Sequence, residues 1–534
     1  MVCGRIIFQN NNKIISMKKY ISTLVVALIC HSAIYAQTAS LPAEEQLYRP
    51  NFHFSPKKGW MNDPNGLYYK DGTYHLFFQY YPDGNKWGPM HWGHATSKDL
   101  IKWDEQPIAL YPDELGYIFS GSAVVDVNNS SGFGDSKNNA VIAAFTYHNM
   151  DKEKAKQIDV ETQGIAYSLD NSKTWTKYSE NPVLKNPGIR DFRDPKVFRD
   201  HKRQQWIMIL AAQDRVHIYQ SKDLKDWKFQ SEFGKDLGGH GGVWECPDLF
   251  PLKVEGTHEE KWVMIVNINP GGPNKGSAGQ YFVGDFDGKT FTIDQHFSQQ
   301  IKKAKAAWLD WGKDNYASVS FDNVPNEKRV IIGWMSNWDY AQEVPTQAWR
   351  SSMTVAREVS LKKTNDGYIL RNIPVSQLKK YQGKSTRKTI KVKAENQLIE
   401  KSQIDLSKAV LDLDLKKMTA GKYTFALKNA LGEELTFGID NATKELFVDR
   451  SKSGKTDFGN QFATAVTKAP LDKLYSNAKM KLVIDKTSIE IFFNDGEKVL
   501  TEIFFPNEHF SELALSTDTK GSTLKIKGHQ LNIK

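Results

Sequence analysis

The sequence predicts an all-β protein, with a β-propeller of about five blades followed by a C-terminal β-sandwich. Between about residues 53 and 357, short aromatic and β-branched runs alternate with turn residues, without extended helical periodicity. A short motif recurs within this region. Beyond residue 388, apolar and polar residues alternate as in antiparallel strands. A chain of 534 residues is also too long for one hydrophobic core, which predicts two or three domains.

The recurring motif predicts the propeller. SKDLIKW begins at residue 97 and returns as SKDLKDW at residue 221, with a looser copy, SLDNSKTW, at residue 168. A further relative, GDFDGKTF, begins at residue 284. These intervals suit four-stranded blades with loops of variable length. At this pitch, the predicted propeller over residues 49–360 holds about five blades.

The C-terminal region predicts a sandwich. LDLDL at residues 411–415 and IEIFF at 489–493 alternate strictly, and the second run is followed by the turn NDG at 494–496. Two stacked antiparallel sheets would bury the apolar faces of such strands. We therefore assign the β-sandwich to residues 389–534. Residues 361–388, which are rich in Lys, Gln and Ser, are predicted to form a linker.

The N-terminus resembles a secretory signal peptide. MKK at residues 17–19 precedes an apolar run over 21–29 and small residues before Ala36. The run is too short to span a bilayer, so no transmembrane segment is predicted. We expect translation to start at Met17, cleavage after Ala36, a short segment over 37–48, and export to the periplasm or the extracellular space. Lipid anchoring at Cys30 is the alternative, although Ile29 before it is unfavourable.

Charge and cysteine content narrow the function classes. The formal net charge is +9, and four basic residues within 1–36 leave about +5 without a long basic tract. This excess does not favour nucleic-acid binding. Cys246 is the one cysteine after residue 36, so we predict no internal disulfide and a packing role for its thiol. His91 and His94 lack a third ligand nearby, and we predict no metal site and no cofactor.

Three short motifs carry candidate catalytic carboxylates. They read WMNDPNG at residues 60–66, FRDP at 192–195 and WECPD at 244–248. Each sets an acidic residue beside a proline-containing bend with an aromatic nearby. One such bend alone is typical of an ordinary turn. Three of them in one chain indicate a site that cleaves a glycosidic bond, because that reaction uses paired carboxyl groups.

In this order, the three motifs resemble glycoside hydrolase family 32, which contains invertases, inulinases, levanases and other β-fructosidases. The resemblance runs from about residue 49 to the C-terminus. It implies a five-bladed propeller with the site in a central funnel, and a C-terminal sandwich. It also implies that Asp63 is the nucleophile, Glu245 the acid/base and Asp194 the transition-state stabiliser. Glu245 must start protonated, and we expect apolar surroundings and nearby anions to raise its pKa.

The resemblance also implies a set of substrate-binding residues. We expect amide, hydroxyl and guanidinium groups to contact fructosyl hydroxyls and indole rings to form the pocket wall, with Arg193 also keeping Asp194 ionised. The predicted set is Asn62, Gln79, Trp87, Ser122, Arg193 and Trp334. Residues 310–316 resemble another site-facing segment, although Asn315 replaces a more usual Tyr. Ser351 likewise replaces a usual Gly.

The resemblance implies a secreted, retaining β-fructofuranosidase. It would remove terminal β-D-fructosyl residues from levan, inulin or sucrose through a covalent fructosyl-enzyme. The alternatives are an endo-acting levanase or inulinase, a fructosyltransferase, and a catalytically inactive fructan-binding protein. The sequence leaves open the preference between β-2,1 and β-2,6 linkages and the choice between exo and endo attack. It also leaves open the oligomeric state and whether the mature protein is free or attached to a surface.

Overall fold

The computed structural model describes residues 43–135, 138–394, 396–401 and 403–533. The predicted signal peptide, its start at Met17 and the alternative anchor Cys30 lie outside these residues. The described α-helices are α1 (Ala43–Tyr48), α2 (Met150–Lys154) and α3 (Gln295–Ala304). Short 3-10 helices cover Pro325–Glu327, Ser376–Tyr381 and Leu406–Lys408. None of the helices in the described ranges has the length and apolarity needed to cross a membrane.

The N-terminal strands form five sheets. The strands are β1 (Gly59–Lys70), β2 (Thr73–Tyr81), β3 (His91–Ser97), β4 (Asp104–Leu110), β5 (Tyr117–Val125), β6 (Val141–His148), β7 (Glu161–Ser168), β8 (Thr176–Lys177), β9 (Phe192–Asp200), β10 (Gln205–Ala212), β11 (Arg215–Ser221), β12 (Lys228–Phe233), β13 (Val243–Lys253), β14 (Glu260–Asn269), β15 (Ala278–Phe286), β16 (Phe291–Ile293), β17 (Tyr316–Ser320), β18 (Arg329–Met335), β19 (Trp349–Arg350), β20 (Ser352–Met353), β21 (Arg357–Thr364) and β22 (Gly367–Pro374).

The five sheets form a ring. Sheets 1 to 4 are built from β1–β4, β5–β8, β9–β12 and β13–β16, and sheet 5 contains β17, β18, β21 and β22. The first strands, β1, β5, β9, β13 and β17, contact one another in that cyclic order and are therefore the innermost strands. The ring is closed by β19, which pairs with β1, and β20, which pairs with β18. This arrangement is the five-bladed β-propeller that the sequence predicts.

The repeated sequence motif is the turn between the third and fourth strands of a blade. In the first copy, the Ser97 hydroxyl accepts from the backbone N–H of Leu100, and the Asp99 carboxylate accepts from the N–H of Lys102. Ser221 and Asp223 make the same bonds between β11 and β12. Ser and Asp recur because their short side chains satisfy the turn's N–H groups.

The C-terminal strands form two sheets of six strands each. The strands are β23 (Gln382–Lys391), β24 (Gln397–Lys401), β25 (Ala409–Lys416), β26 (Lys422–Lys428), β27 (Glu434–Asp440), β28 (Glu445–Lys452), β29 (Thr467–Pro470), β30 (Asn477–Asp485), β31 (Ser488–Phe493), β32 (Lys498–Ile503), β33 (Glu512–Thr517) and β34 (Thr523–Leu531).

The two sheets form the expected sandwich. Their orders are β23-β34-β25-β30-β31-β32 and β24-β33-β26-β27-β28-β29. The alternating apolar residues of both sheets form one buried cluster that includes Leu411, Phe425 and Ile491. The NDG sequence is the turn between β31 and β32, with Asn494 and Asp495 at positive φ.

The predicted linker over residues 361–388 differs from the structure. Residues 367–374 form the outer strand of sheet 5, and residues 382–391 form an edge strand of the sandwich. Residues 375–381 alone lie between these strands, and most of them form a 3-10 helix. The Lys-rich composition has a physical reason, because β23 is an exposed edge where charges discourage pairing with another chain.

Charged side chains and apolar packing join the propeller to the sandwich. Arg357, from the propeller, contacts Glu490 on β31 and Asp310, and all three are buried. His53 contacts Glu490 and Asp485, which also lie on the sandwich side.

Candidate active site

A cavity of about 230 Å³ opens among the inner strands of the propeller. Its walls carry carboxylates, basic groups and aromatic rings. The lining residues are Asn62, Asp63, Gln79, Trp87, Phe119, Ser120, His148, Glu153, Val160, Glu161, Arg190, Asp191, Arg193, Asp194, Glu245 and Trp338. The three predicted catalytic carboxylates therefore face one cavity.

A β-bulge in each innermost strand builds this opening. At each bulge, two residues of the innermost strand stand opposite one residue of the second strand. The bulged pairs, in blade order, are Asn62 and Asp63, Phe119 and Ser120, Asp194 and Pro195, Cys246 and Pro247, and Ala317 and Ser318. Because a bulge turns side chains out of the regular alternation, five separated segments can point functional groups at one place.

Two of the motif prolines, Pro195 and Pro247, lie in these bulges, whereas Pro64 directly follows one. Proline has no N–H to donate to a sheet, and a bulge is one of the few strand positions that tolerates it. The residues before Pro195 and Pro247 also take a left-handed backbone, with φ of 67° at Asp194 and 44° at Cys246. Ala317, at the equivalent position of sheet 5, has φ of 52°.

Asp63 is held by three side-chain donors. The Asn62 amide donates to its Oδ1 at 3.0 Å, and the Ser120 hydroxyl donates to its Oδ2 at 2.7 Å. The Cys246 thiol lies 3.5 Å from the same Oδ2. These contacts fix the orientation of a carboxylate that remains on the cavity wall.

Asp194 lies deeper in the wall. The backbone N–H of Cys246 donates to its Oδ2 at 2.9 Å, and the Cys246 thiol is 3.6 Å from that oxygen. Burial raises the pKa of Asp194; Arg193 opposes this rise, and the charges of Glu245 and Asp63 add to it. Burial, reinforced by the two other carboxylates that face the same cavity, therefore favours the neutral acid at Asp194.

Glu245 accepts hydrogen bonds from two neighbouring side chains. Arg193 donates to its Oε1 from Nε at 3.2 Å and from Nη2 at 3.1 Å. The Tyr316 hydroxyl donates to its Oε2. Burial raises the pKa of Glu245; Arg193 and the Tyr316 bond oppose this rise, and Asp63 adds to it. The net rise favours the protonated acid, which is the state that a proton donor needs.

Arg193 differs from the prediction in its partner. Its charge opposes the rise in the pKa of Asp194, in the expected direction, but its direct contacts are with Glu245, Glu161 and Asp191. Its side chain sits between these three carboxylates because Glu161 and Glu245 project from the strands on either side of β9. Arg193 nevertheless lines the cavity as predicted.

Asn62, Gln79 and Trp87 also line the cavity as predicted. The Gln79 amide donates to the carbonyl of Ile118 at 3.0 Å, which leaves its carbonyl end for other donors. Trp87 is half-buried against Tyr117 and Phe119. These groups offer polar and ring contacts to a ligand beside Asp63.

Two predicted binding residues do not line the cavity. The Ser122 hydroxyl is buried between β5 and β9, where it donates to the Pro195 carbonyl and accepts from the Val197 N–H. Ser120 faces the cavity instead, because the bulge at Phe119 and Ser120 changes which side chains point inward. Ser122 therefore joins two blades.

Trp334 is likewise misassigned. Its ring is fully buried and packs against Trp60 and Trp338. Trp338, which follows β18 and is half-buried, lines the cavity in its place. The two tryptophans belong to one short segment, and their different exposure depends on where the strand ends.

The sequence places Tyr316 in a predicted site-facing segment, but it does not predict the Tyr316 bond to Glu245 or the contacts of Cys246. Tyr316 is the first residue of β17 and stands immediately before its bulge, as Glu245 stands immediately before the bulge at Cys246 and Pro247. The described residues contain no cluster of three or more metal-binding side chains. The arrangement provides an oriented carboxylate, Asp63, and a half-buried carboxylic acid, Glu245, which together can cleave an acetal bond.

Comparison with known proteins gives a consistent result. The family model "Glycosyl hydrolases family 32 N-terminal domain" matches residues 53–373, and "Glycosyl hydrolases family 32 C terminal" matches residues 376–532. A levanase of Bacillus subtilis is 44% identical over 515 residues, covering 95% of this chain and 74% of the relative. An extracellular exo-inulinase of Aspergillus niger is 38% identical over 545 residues, covering 96% and 98%.

Solved structures agree with these relatives. Exo-inulinase from Aspergillus awamori superposes with a TM-score of 0.81 at 37% identity, covering 92% of this chain and 99% of the other. The β-fructofuranosidase from Schwanniomyces occidentalis, complexed with fructosyl-erythritol, gives 0.82 at 33% identity with the same coverage. Together with the converging carboxylates of the propeller, these matches show that the chain belongs to glycosyl hydrolases family 32.

Proposed function

We propose that the protein is a β-fructosidase that hydrolyses terminal β-D-fructosyl residues of fructans such as levan and inulin, and also sucrose. The observation that carries this proposal is the convergence of Asp63, Asp194 and Glu245 from three sheets on one cavity. Relatives that span most of the chain are named levanase and exo-inulinase. A neighbouring structure of the same family holds fructosyl-erythritol.

The contacts support separate roles for the three carboxylates. Asp63, oriented by Asn62 and Ser120, is the proposed nucleophile that attacks the anomeric carbon and forms a fructosyl-enzyme. Glu245, half-buried and with a raised pKa, is the proposed acid that protonates the leaving oxygen and later activates water. Asp194 is the proposed transition-state stabiliser, acting on fructosyl hydroxyls. Reaction through a covalent intermediate retains the anomeric configuration.

The base of the cavity supports exo attack. Lys196, from β9, donates to the Ser320 carbonyl on β17 at 2.6 Å and lies 3.3 Å from Asp248 on β13. These contacts cross between inner strands just beyond the bulges, so side chains fill this part of the propeller axis. A closed base favours entry of a chain end, and several of the relatives are named exo-inulinases.

We further propose that the chain is exported and has two domains. The amino-acid pattern of residues 1–36 supports a cleaved signal peptide, and several relatives are named extracellular. The division into a propeller and a sandwich is supported by the sheets, with the boundary at residues 375–381.

A product time course tests the proposed function. Levan, inulin and sucrose are each incubated with the protein and with Asp63→Asn as the inactive control, and products are separated by chromatography. We expect fructose as the sole early product from each polymer. Early oligosaccharides of several lengths would contradict exo attack, and products longer than the substrate would indicate a fructosyltransferase. Binding of fructan without any turnover would indicate the inactive binding protein.

A further inference from the structure

A row of hydrogen-bonded acidic and basic side chains connects the cavity rim to Glu245. Glu153, on α2, contacts Nε2 of His148, and Nδ1 of His148 lies 3.1 Å from Oε1 of Glu161. The same Glu161 oxygen accepts from Nη1 of Arg193 at 3.0 Å. Arg193 in turn donates to Glu245. Each link is a hydrogen bond between groups that can carry opposite charge.

Glu161 is the buried anchor of this row. Its side chain is 2% exposed, and its two oxygens accept from Arg193, from His148 and from the N–H of Phe192 at 2.7 Å. Burial alone raises the pKa of Glu161, but Arg193 and His148 outweigh it and lower that pKa. A buried carboxylate with this many donors holds its partners in fixed geometry.

The contacts of Nη1 determine which nitrogen atoms of Arg193 bind Glu245. Nη1 is occupied by Glu161 and by Asp191 at 2.8 Å, so Nε and Nη2 are left to face Glu245. His148 is itself fixed by Phe119, whose ring stacks on it at 4.2 Å. The other charged groups near the row are Asp194, which faces Arg193, and Arg190, which lies 3.6 Å from Glu153.

We propose that Glu161, supported by His148, is a positioning residue for the acid step. It holds the Arg193 guanidinium so that this group orients the Glu245 carboxyl toward the leaving oxygen. Glu161 itself need not touch substrate for this role. The inference rests on the proposed function, because it takes Glu245 to be the acid.

The test compares two substrates that differ in their need for a proton. Sucrose requires protonation of its leaving oxygen, whereas an aryl β-fructofuranoside with an acidic phenol does not. Glu161→Gln places an amide N–H₂ against groups that donate, which frees Arg193 from its anchor. We expect kcat/KM on sucrose to fall about ten- to a hundredfold and kcat/KM on the aryl fructoside to change less than about threefold.

The pH profile provides a second readout. The high-pH limb of kcat/KM reports loss of the proton from the acid in the free enzyme. Removing the negative charge of Glu161 favours the ionised form of Glu245, so this limb moves to lower pH. The matched control is Glu400→Gln, which changes a buried carboxylate paired with Lys388 at 3.4 Å in the sandwich. That control should leave both the substrate ratio and the limb unchanged.

Two further variants separate the outcomes. His148→Gln removes one support of Glu161 and should change the substrate ratio in the same direction by a smaller factor, which keeps the proposal testable if Glu161→Gln does not fold. Glu245→Gln tests the proposed function itself. Suppose that Glu245→Gln loses kcat/KM mainly on sucrose. If Glu161→Gln then loses kcat/KM equally on both substrates, or shows no change, the positioning role alone is overturned. Equal loss on both substrates in Glu245→Gln overturns the acid role.

Discussion

Replacement of His53 by Gln tests the ionic contacts between the propeller and the sandwich. The imidazole is fully buried, with Nδ1 2.8 Å from Asp485 and Nε2 2.8 Å from Glu490. Glu490 also binds Arg357, so the substitution leaves one guanidinium to balance a larger group of carboxylates. Breaking a buried pair in this way destabilises a protein because the remaining charge is uncompensated.

The pKa of His53 sets the size and the pH range of the effect. Burial alone lowers it, but the hydrogen bonds and charges of Asp485 and Glu490 raise the pKa from 6.5 to about 9. At about 1.4 kcal/mol per pH unit, this difference contributes up to about 3 kcal/mol to the free energy of unfolding. Because the folded-state pKa is raised, the contribution is complete below pH 6.5 and is lost as the pH rises to about 9.

Urea unfolding followed by tryptophan fluorescence measures this contribution. The parent protein, His53→Gln and the control His91→Gln are compared between pH 6 and pH 9.5. His91 bonds the Pro89 carbonyl and not a carboxylate, so its variant should track the parent. We expect the difference in the free energy of unfolding between the parent and His53→Gln to decrease by up to about 3 kcal/mol toward high pH. A difference in the free energy of unfolding that stays constant across this pH range would refute the charged state assigned to His53.

Three other predictions concern the cavity. Tyr316→Phe removes a hydrogen bond that lowers the pKa of Glu245, so the high-pH limb of kcat/KM should move upward; an unchanged limb would contradict this role. Ser120→Ala should lower kcat because it removes a donor to Asp63. Ser122→Ala should lower the unfolding midpoint and leave kcat near the parent value, because its hydroxyl joins two blades. The reverse pattern would support the sequence-based assignment of Ser122. NMR of fresh product should show β-fructofuranose first, and α product first would exclude a covalent route through Asp63.

The sequence predicts the parts of the site that local rules determine. Pro195 and Pro247 mark bulges because proline has no N–H to donate to a ladder, and the carboxylates near them are therefore visible in the sequence. The Ser97 turn is equally local, since Ser and Asp satisfy nearby N–H groups within a few residues. Such features depend on short stretches of chain.

Other parts of the site depend on distant segments. Ser120 and Ser122 are two residues apart, and which of them faces the cavity depends on a bulge that no proline marks. Arg193 meets Glu161 and Glu245 because β7, β9 and β13 lie side by side in adjacent blades, which its own motif does not encode. Residues 361–388 resemble a linker in composition because exposed edge strands and linkers are both rich in Lys.

Because the five bulges lie in five different sheets, the site is complete only when the whole propeller is assembled. Asp63, Ser120, Asp194, Glu245 and Tyr316 come from five different sheets, so no fragment that lacks a blade carries the full set. Turnover of substrate therefore measures ring closure. A chain divided in a surface loop between blades would regain activity as its halves reassociate, which makes this scaffold suitable for a split reporter whose signal is released sugar.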